Sequence, residues 1–334
     1  MTLNQADKAV EQQQLSQGRI YGIPVRVAEI NEESEGVISI TMCSEDGNDL
    51  PSWQAGAHID LVIDDQLELV RQYSLCGNPA DKKSLKIAVL REPQSRGGSE
   101  ALHTKLNVGD KLTVKGPRNH FPLNDADNYL MIAGGIGITP MLPMLRELEK
   151  TGKNWTMMYG GRTRSSMAFL SELSQYGDKV KVCPEDEVGL LDLNNYIGSP
   201  KEDTVVYVCG PEKLISAVEK QCEDWPEGAL NLERFKPVEI APVGGDVAFE
   251  VVLQQSGVSI QVEKDESIAD AVERAGFYIP RSCDEGTCGT CMTRIIEGVP
   301  EHRDSFLRGK MREENKYIMV CCSRASSPKL VLDA

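Results

Sequence analysis

Three cysteines crowd nine residues near the end of this 334-residue chain: Cys283, Cys288 and Cys291, spaced C-x4-C-x2-C in the run CDEGTCGTC. A fourth, Cys321, follows after 29 intervening residues. That is the spacing that holds a plant-type two-iron, two-sulfur cluster, so the chemistry implied is transfer of single electrons. Three thiolates from one short loop require a backbone that wraps tightly, and Gly286 and Gly289 supply the freedom to do so. N–H groups in such a loop can point at sulfur and help set a potential. A structural zinc site shows two short-spaced pairs instead, and a disulfide framework belongs to small domains in an oxidising compartment. Cys322 adjoins Cys321. In an extended segment neighbours point to opposite faces; the 29-residue gap favours Cys321 as ligand, with Cys322 expected as a small buried apolar residue.

Other runs suit flat cofactors and phosphates. In Arg71-Gln72-Tyr73-Ser74, Tyr73 can lie against a heteroaromatic ring, Ser74 can hydrogen-bond a ring nitrogen, and Arg71 can clamp a phosphate. The plain alternative is a barrel strand with an exposed Arg and a half-buried Tyr. Ser95-Arg96-Gly97-Gly98-Ser99 opens a helical stretch, where first-turn N–H groups and the helix dipole favour an anion; the alternative is a flexible loop with an ordinary cap. Gly134-Gly135-Ile136-Gly137-Ile138-Thr139-Pro140 joins a buried strand to a helix, the place where an α/β sheet binds a nucleotide. It lacks the G-x-G-x-x-G spacing, so it also reads as a plain glycine turn. Cys209-Gly210-Pro211 ends a later strand and would face the same crevice as Thr139; alone, Cys209 reads as a buried apolar residue.

The elements that must position these residues fall into three segments. Residues 18–125 carry short β-rich runs separated by Gly, Asp, Asn and Pro, which predicts an antiparallel β-barrel or a sandwich, with one helix in SEALHTKLNVG capped by Ser99 and Gly109. Residues 126–235 alternate strand and helix, which predicts a parallel sheet covered by helices; SMAFLSELSQYG is one of its expected helices. Residues 236–246, rich in Pro and Gly, read as a linker. Residues 247–334 carry two strands, an amphipathic helix SIADAVERAGF, the cysteine loop and a final strand, an α+β layout. The polar, Gln-rich stretch 1–17 reads as a frayed tail with no signal-sequence core.

Net charge is −15 and the pI is near 4.9, which argues against nonspecific nucleic-acid binding. Residues 247–334 hold 11 basic and 14 acidic side chains, only −3. No apolar run reaches membrane-span length. Ten cysteines, most outside the cluster pattern, suit a reducing cytoplasm. The four histidines, His58, His103, His120 and His302, are scattered, so neither a Rieske Cys/His pattern nor a mononuclear iron triad is assembled.

RQYSL, SRGGS, RNHFPL, AGGIGITPM, YVCGP, the cysteine loop, EHRD and VCCSRA together resemble the phthalate dioxygenase reductase family, within the ferredoxin–NADP reductase superfamily, from about residue 20 to 334. The resemblance implies a flavin barrel, a nicotinamide domain and a C-terminal ferredoxin of β-grasp type. It implies FMN, with Arg71, Tyr73, Ser74, Arg96, Gly97, Gly98 and Ser99 around it. It implies NADH, with NADPH open, near Gly134, Gly135, Gly137, Thr139, Cys209 and Gly210. Phe235 in LERFKP matches an aromatic that packs on the flavin; the alternative is a domain-closing hydrophobe. Arg162 and Arg164 in GGRTRSS can receive a 2′-phosphate. The expected catalytic set is Ser74, Tyr73, Cys209 and Phe235, and the expected partner is the Rieske component of an aromatic-ring hydroxylase or demethylase. A haem monooxygenase or a di-iron enzyme is the alternative acceptor. A redox sensor or electron carrier with decayed flavin and nucleotide sites is the alternative of another class.

Overall fold

The computed structural model describes residues 22–64, 69–95, 97–238 and 246–334. The expected tail at 1–17, Arg96 and most of the expected linker lie outside these residues. The chain divides into two compact units, 23–236 and 237–334.

The first unit begins with six antiparallel strands: β1 (Ile23–Ser34), β2 (Val37–Ser44), β3 (Ala57–Asp64), β4 (Leu69–Ser74), β5 (Ser84–Leu90) and β6 (Lys111–Asn119), in sheet order β4-β3-β6-β1-β2-β5. The edge strands meet: Leu75 bridges Ile87, and Cys76 N donates to Lys86 O at 2.9 Å. The sheet therefore closes on itself, which removes its open edges. Inward alternation of Val25, Val27, Ile40, Met42, Ile59, Leu61 and Ile87 fills it. Asp60 is buried but satisfied, paired with Arg118 and accepting from Gln72 Nε2 at 3.1 Å, as a buried charge must be.

Five parallel strands follow: β7 (Asn128–Gly134), β8 (Asn154–Gly161), β9 (Val180–Pro184), β10 (Thr204–Cys209) and β11 (Leu230–Glu233), in order β11-β10-β7-β8-β9. The chain moves outward from β7 through β8 to β9, then returns to the other side of β7 with β10. The order reverses between β7 and β10, and a ligand crevice forms outside the carboxyl ends of strands at such a reversal. Barrel and sheet share one core, in which Phe121 packs on Tyr207 with ring centres 5.4 Å apart. Arg146 fastens them further, donating to Cys76 O at 2.9 Å and Gly77 O at 2.5 Å and pairing with Glu172.

Two expected helices differ. The barrel helix spans Gly98–Thr104, beginning one residue before Ser99 and ending well before Gly109. SMAFLSELSQYG is broken into the short helix Leu170–Leu173 and the 3-10 turns Ser174–Lys179. The break falls at Phe169, whose φ of 62° lies in the left-handed region and cannot continue a right-handed helix, and again at Gly177, with φ 54°.

The second unit has β12 (Phe249–Leu253), β13 (Val258–Val262), β14 (Met292–Glu297), β15 (Pro300–Glu301), β16 (Tyr317–Met319), β17 (Arg324–Ala325) and β18 (Lys329–Leu332). The main sheet runs β13-β12-β18-β14-β16, with β12 and β18 parallel and the remaining pairs antiparallel. The helix Ile268–Arg274 buries Ile268, Ala269, Ala271 and Val272 in the same core as this sheet. Ser267 caps it, accepting from Asp270 N at 3.0 Å. Among the described residues no helix is long and apolar enough to cross a membrane.

Candidate functional site

The cysteine loop follows the helix Ile268–Arg274 and runs into β14, whereas Cys321 sits in the turn after β16. Gly286 and Gly289 take φ of 68° and 77°. A Cβ at Gly286 would stand 2.5 Å from Cys322 Sγ, and one at Gly289 would stand 2.5 Å from the Phe306 ring. Glycine is thus required twice, for conformation and for space. Cys283 Sγ accepts from Glu285 N and Cys288 Sγ from Thr290 N, both at 3.4 Å.

The four thiols compete for protons. Contact with Cys288, then Cys321, pulls Cys283 well below the usual thiol range, and the same contact pushes Cys288 up. Cys321 lowers Cys291 and is itself raised by Cys283 and Cys291. Among the described residues no group of three or more His, Cys, Asp and Glu is set for a single metal ion. A ring of four thiols drawn from two segments, with backbone donors aimed at two of them, has the donor set of a two-iron cluster. Cys322 differs from its expectation. The 321–322 segment is a turn, not an extended strand, and Cys322 is half-buried against Gly286.

The larger site lies at the carboxyl ends of β7, β10 and β11. Gly134 ends β7 and Gly135–Ile138 forms a 3-10 turn leading to the helix Met141–Thr151, with Pro140 at its cap. A Cβ on Gly137 would collide with the Cys209 carbonyl, and one on Gly134 would lie 2.7 Å from both Leu214 and Pro211 side chains. Gly210 faces Gly134 with the same lack of room, 3.0 Å to its Cα. The two glycine runs, distant in sequence, are pressed together across the reversal in strand order. Thr139 is buried, its hydroxyl donating to Ile136 O at 3.0 Å within its own turn.

Register pairs Cys209 with Glu233, the last residue of β11. Ser74, at the end of β4 in the barrel, donates from Oγ to Glu233 Oε2 at 3.4 Å. Burial pushes the Glu233 carboxyl up to about 8, with the Ser74 bond opposing. Burial also raises the Cys209 thiol well above its usual value, with the charge of Glu233 adding to it. Ser74 and Cys209 therefore meet through a residue that sequence reasoning missed. The only signal for Glu233 was an acid at the end of an apolar alternation, LNLE. Next along the chain, Arg234 folds down to Glu212 at 2.8 Å and Glu219 at 2.5 Å, while Phe235 is 40 % exposed. It closes no core.

Arg71 and the barrel helix also come together. A Cβ on Gly98 would lie 2.8 Å from Arg71 Cγ and 3.2 Å from Nε. Gly97, at φ 91°, precedes the helix with no side-chain cap. Ser99 Oγ donates to Ser95 Oγ at 3.0 Å and accepts from Glu92 N at 3.2 Å. Tyr73 is half-buried on β4, and burial raises its phenol.

Residues 251–326 match the 2Fe-2S iron-sulfur cluster binding domain, and residues 131–220 match the oxidoreductase NAD-binding domain. The chain is 37 % identical to phenoxybenzoate dioxygenase subunit beta of Ectopseudomonas oleovorans over 93 % of its own length and 97 % of that protein's. It is 35 % identical to vanillate O-demethylase oxidoreductase of Pseudomonas sp. strain HR199, over 93 % and 99 %. Among solved structures, phthalate dioxygenase reductase, described as modular for electron transfer from pyridine nucleotides to 2Fe-2S, superposes with TM-score 0.69 at 32 % identity, over 94 % of this chain and 98 % of that one. An intact type IV self-sufficient cytochrome P450 monooxygenase superposes with TM-score 0.86 at 37 % identity over 99 % of this chain. The chain spans 44 % of that longer protein.

Proposed function

The chain belongs to the phthalate dioxygenase reductase family, oxidoreductases that serve oxygenases through FMN, a 2Fe–2S cluster and a nicotinamide nucleotide, and from that premise we propose that it carries electrons from NADH to the Rieske component of an aromatic-ring hydroxylase or demethylase. The observation that carries this reading is the meeting of Ser74, Glu233 and Cys209 beside the Gly134–Gly137 turn. It joins a barrel strand and a nucleotide crevice in one site.

The residues divide the work. Arg71, Gly97, Gly98 and Ser99 would hold the flavin phosphate, with Tyr73 and Ser74 at its ring. Phe235, exposed at the end of LERF, would pack against the ring. Gly134, Gly135, Gly137, Thr139 and Gly210 give the nucleotide a close backbone, and Cys209 borders its nicotinamide. Cys283, Cys288, Cys291 and Cys321 hold the cluster. A bound flavin supplies the conversion of a two-electron hydride into single-electron steps. The protein orients the rings and excludes water. It also handles the proton that remains after NADH has yielded both electrons. Ser74 would relay it to Glu233 in its ionised form, and the carboxyl, whose proton affinity is raised by burial, would release it to solvent before the next cycle.

A second acceptor is favoured by one observation, the superposition on the self-sufficient P450 protein; what fits there is a haem monooxygenase. Anaerobic titration with NADH tests the route. Flavin and cluster should bleach together, and FMN should be released on denaturation. A flavin that bleaches while the cluster does not would sink the proposed path. Reoxidation of the reduced protein by a Rieske oxygenase, or instead by a ferric haem monooxygenase, separates the two acceptors.

A further inference from the structure

Gly161 ends β8, the second strand of the parallel sheet, and the chain turns through Arg162, Thr163 and Arg164 before Met167 re-enters the core. In doubly wound nucleotide-binding sheets the end of the second strand faces the ribose that distinguishes the two nicotinamide nucleotides. A carboxylate there accepts from the 2′-hydroxyl, whereas an arginine accommodates a 2′-phosphate.

Both groups meet at this turn, already engaged with each other. Arg164 Nε and Nη2 donate to Glu187 Oε1 and Oε2 at 2.9 and 2.6 Å, the two-point geometry in which arginine also grips phosphate. Glu187 belongs to the short helix Glu185–Val188 after β9. Asp186 N donates to Arg162 O at 3.2 Å and ties that helix to the turn. The turn is fixed from the barrel side as well: Glu35 N donates to Ser165 O at 3.0 Å, and Ser165 Oγ to Glu35 Oε2 at 3.1 Å. Thr163 and Ser166 cap each other within it. The Arg164–Glu187 fork thus stands on a scaffold that cannot easily carry it elsewhere. Both side chains are exposed, so neither fills a core.

We infer that Glu187 selects against NADPH: by occupying the Arg164 guanidinium it leaves a carboxylate for a ribose hydroxyl and no open fork for a 2′-phosphate. Glu185 and Asp186 beside it add like charge against the phosphate. An exposed ion pair is weak enough for one substitution to open it. The inference rests on the reading that a nicotinamide nucleotide lies along this edge of the sheet.

The test uses the holoprotein, with ferricyanide as electron acceptor and NADH or NADPH as donor. The ratio of kcat/KM for NADPH to that for NADH is measured in four proteins: the natural chain, Glu187→Ala, Glu187→Ala with Arg164→Ala, and Glu187→Ala with Arg162→Ala. The natural chain should favour NADH. Glu187→Ala should raise the ratio about tenfold, chiefly through a lower KM for NADPH, as one charge-assisted contact to phosphate does. Adding Arg164→Ala should erase that gain, and adding Arg162→Ala should leave it. A natural preference for NADPH, an unmoved ratio in Glu187→Ala, or a gain that survives Arg164→Ala each overturns the inference. Failure of the underlying reading looks different: neither nucleotide would reduce any of the four proteins.

Discussion

The cluster loop and the nucleotide cleft are built by opposite means. The proposed cluster site takes three of its four cysteines from nine consecutive residues, with Gly286 and Gly289 at positive φ among them. The cleft takes Ser74 and Glu233, 159 positions apart, from two different sheets. It exists only because barrel and parallel sheet share a core and because β11 pairs with β10 in one register. A local site is vulnerable to loss of a ligand. A topological site is vulnerable to small shifts of backbone that touch no functional atom.

The largest expected effect follows from the first kind of vulnerability. Cys321→Ser should abolish the cluster, seen as loss of its visible absorbance and of bound iron, while NADH still bleaches the flavin. Cys322→Ser, one position away, should keep the cluster, because Cys322 stands against Gly286 and its thiol meets Cys321, the cysteine to which the 29-residue spacing assigns the ligand. Equal loss in both variants would mean that the turn, not the thiol, is what Cys321 supplies, and that the cluster depends on backbone as much as the cleft does.

The second kind is probed by glycines. Ala at Gly137 places a methyl into the Cys209 carbonyl, a backbone atom that can yield only by moving β10. The expected cost is about 3 kcal/mol of stability, with a sharp rise in KM for NADH. Ala at Gly135 meets open space but keeps a φ of 53°, so it should cost only about 1 kcal/mol. Thermal unfolding and NADH kinetics on the two variants check the difference. If Gly135→Ala proved the worse of the two, close approach across the strand reversal would not be what the glycine run is for.

The same contrast explains what the sequence revealed. The 2Fe-2S domain was legible because metal spacing is written in nearly consecutive residues. The barrel and the parallel sheet were legible from alternation of apolar runs with Gly, Pro and Asn. Glu233 was not, since a lone acid after LNL acquires meaning only from its register with Cys209 and its reach to Ser74. The break in SMAFLSELSQYG was hidden too: its apolar residues look helical in composition, and nothing in them announces the left-handed backbone at Phe169. Arg164 was visible as a candidate for a 2′-phosphate, yet its partner Glu187 lies 23 positions on, across a strand.

Glu233→Gln gives a smaller effect than loss of the cluster or of Gly137, and the finest test. The carboxyl is raised from 4.5 to about 8 by burial. Between those two values the unfolded chain has lost this proton while the folded chain keeps it. Folded protein therefore binds more protons, and this residue's contribution to stability falls as pH rises through the window and levels off above about 8. Gln keeps a hydrogen-bonding group for Ser74 but does not titrate. In urea unfolding at pH 8 the variant should be more stable than the natural chain, on the order of 2 kcal/mol once solvent screening of a half-buried side chain is allowed for. Near pH 4.5 the advantage should vanish. Turnover should lose its inflection near pH 8, because Gln cannot pass on the proton left by NADH. The cluster unit supplies the internal control: its absorbance should report the same unfolding in both proteins at every pH. An inflection near pH 8 that persists in Glu233→Gln would show that the titrating group lies elsewhere, and the cleft would then reduce to a geometric device with no proton chemistry of its own.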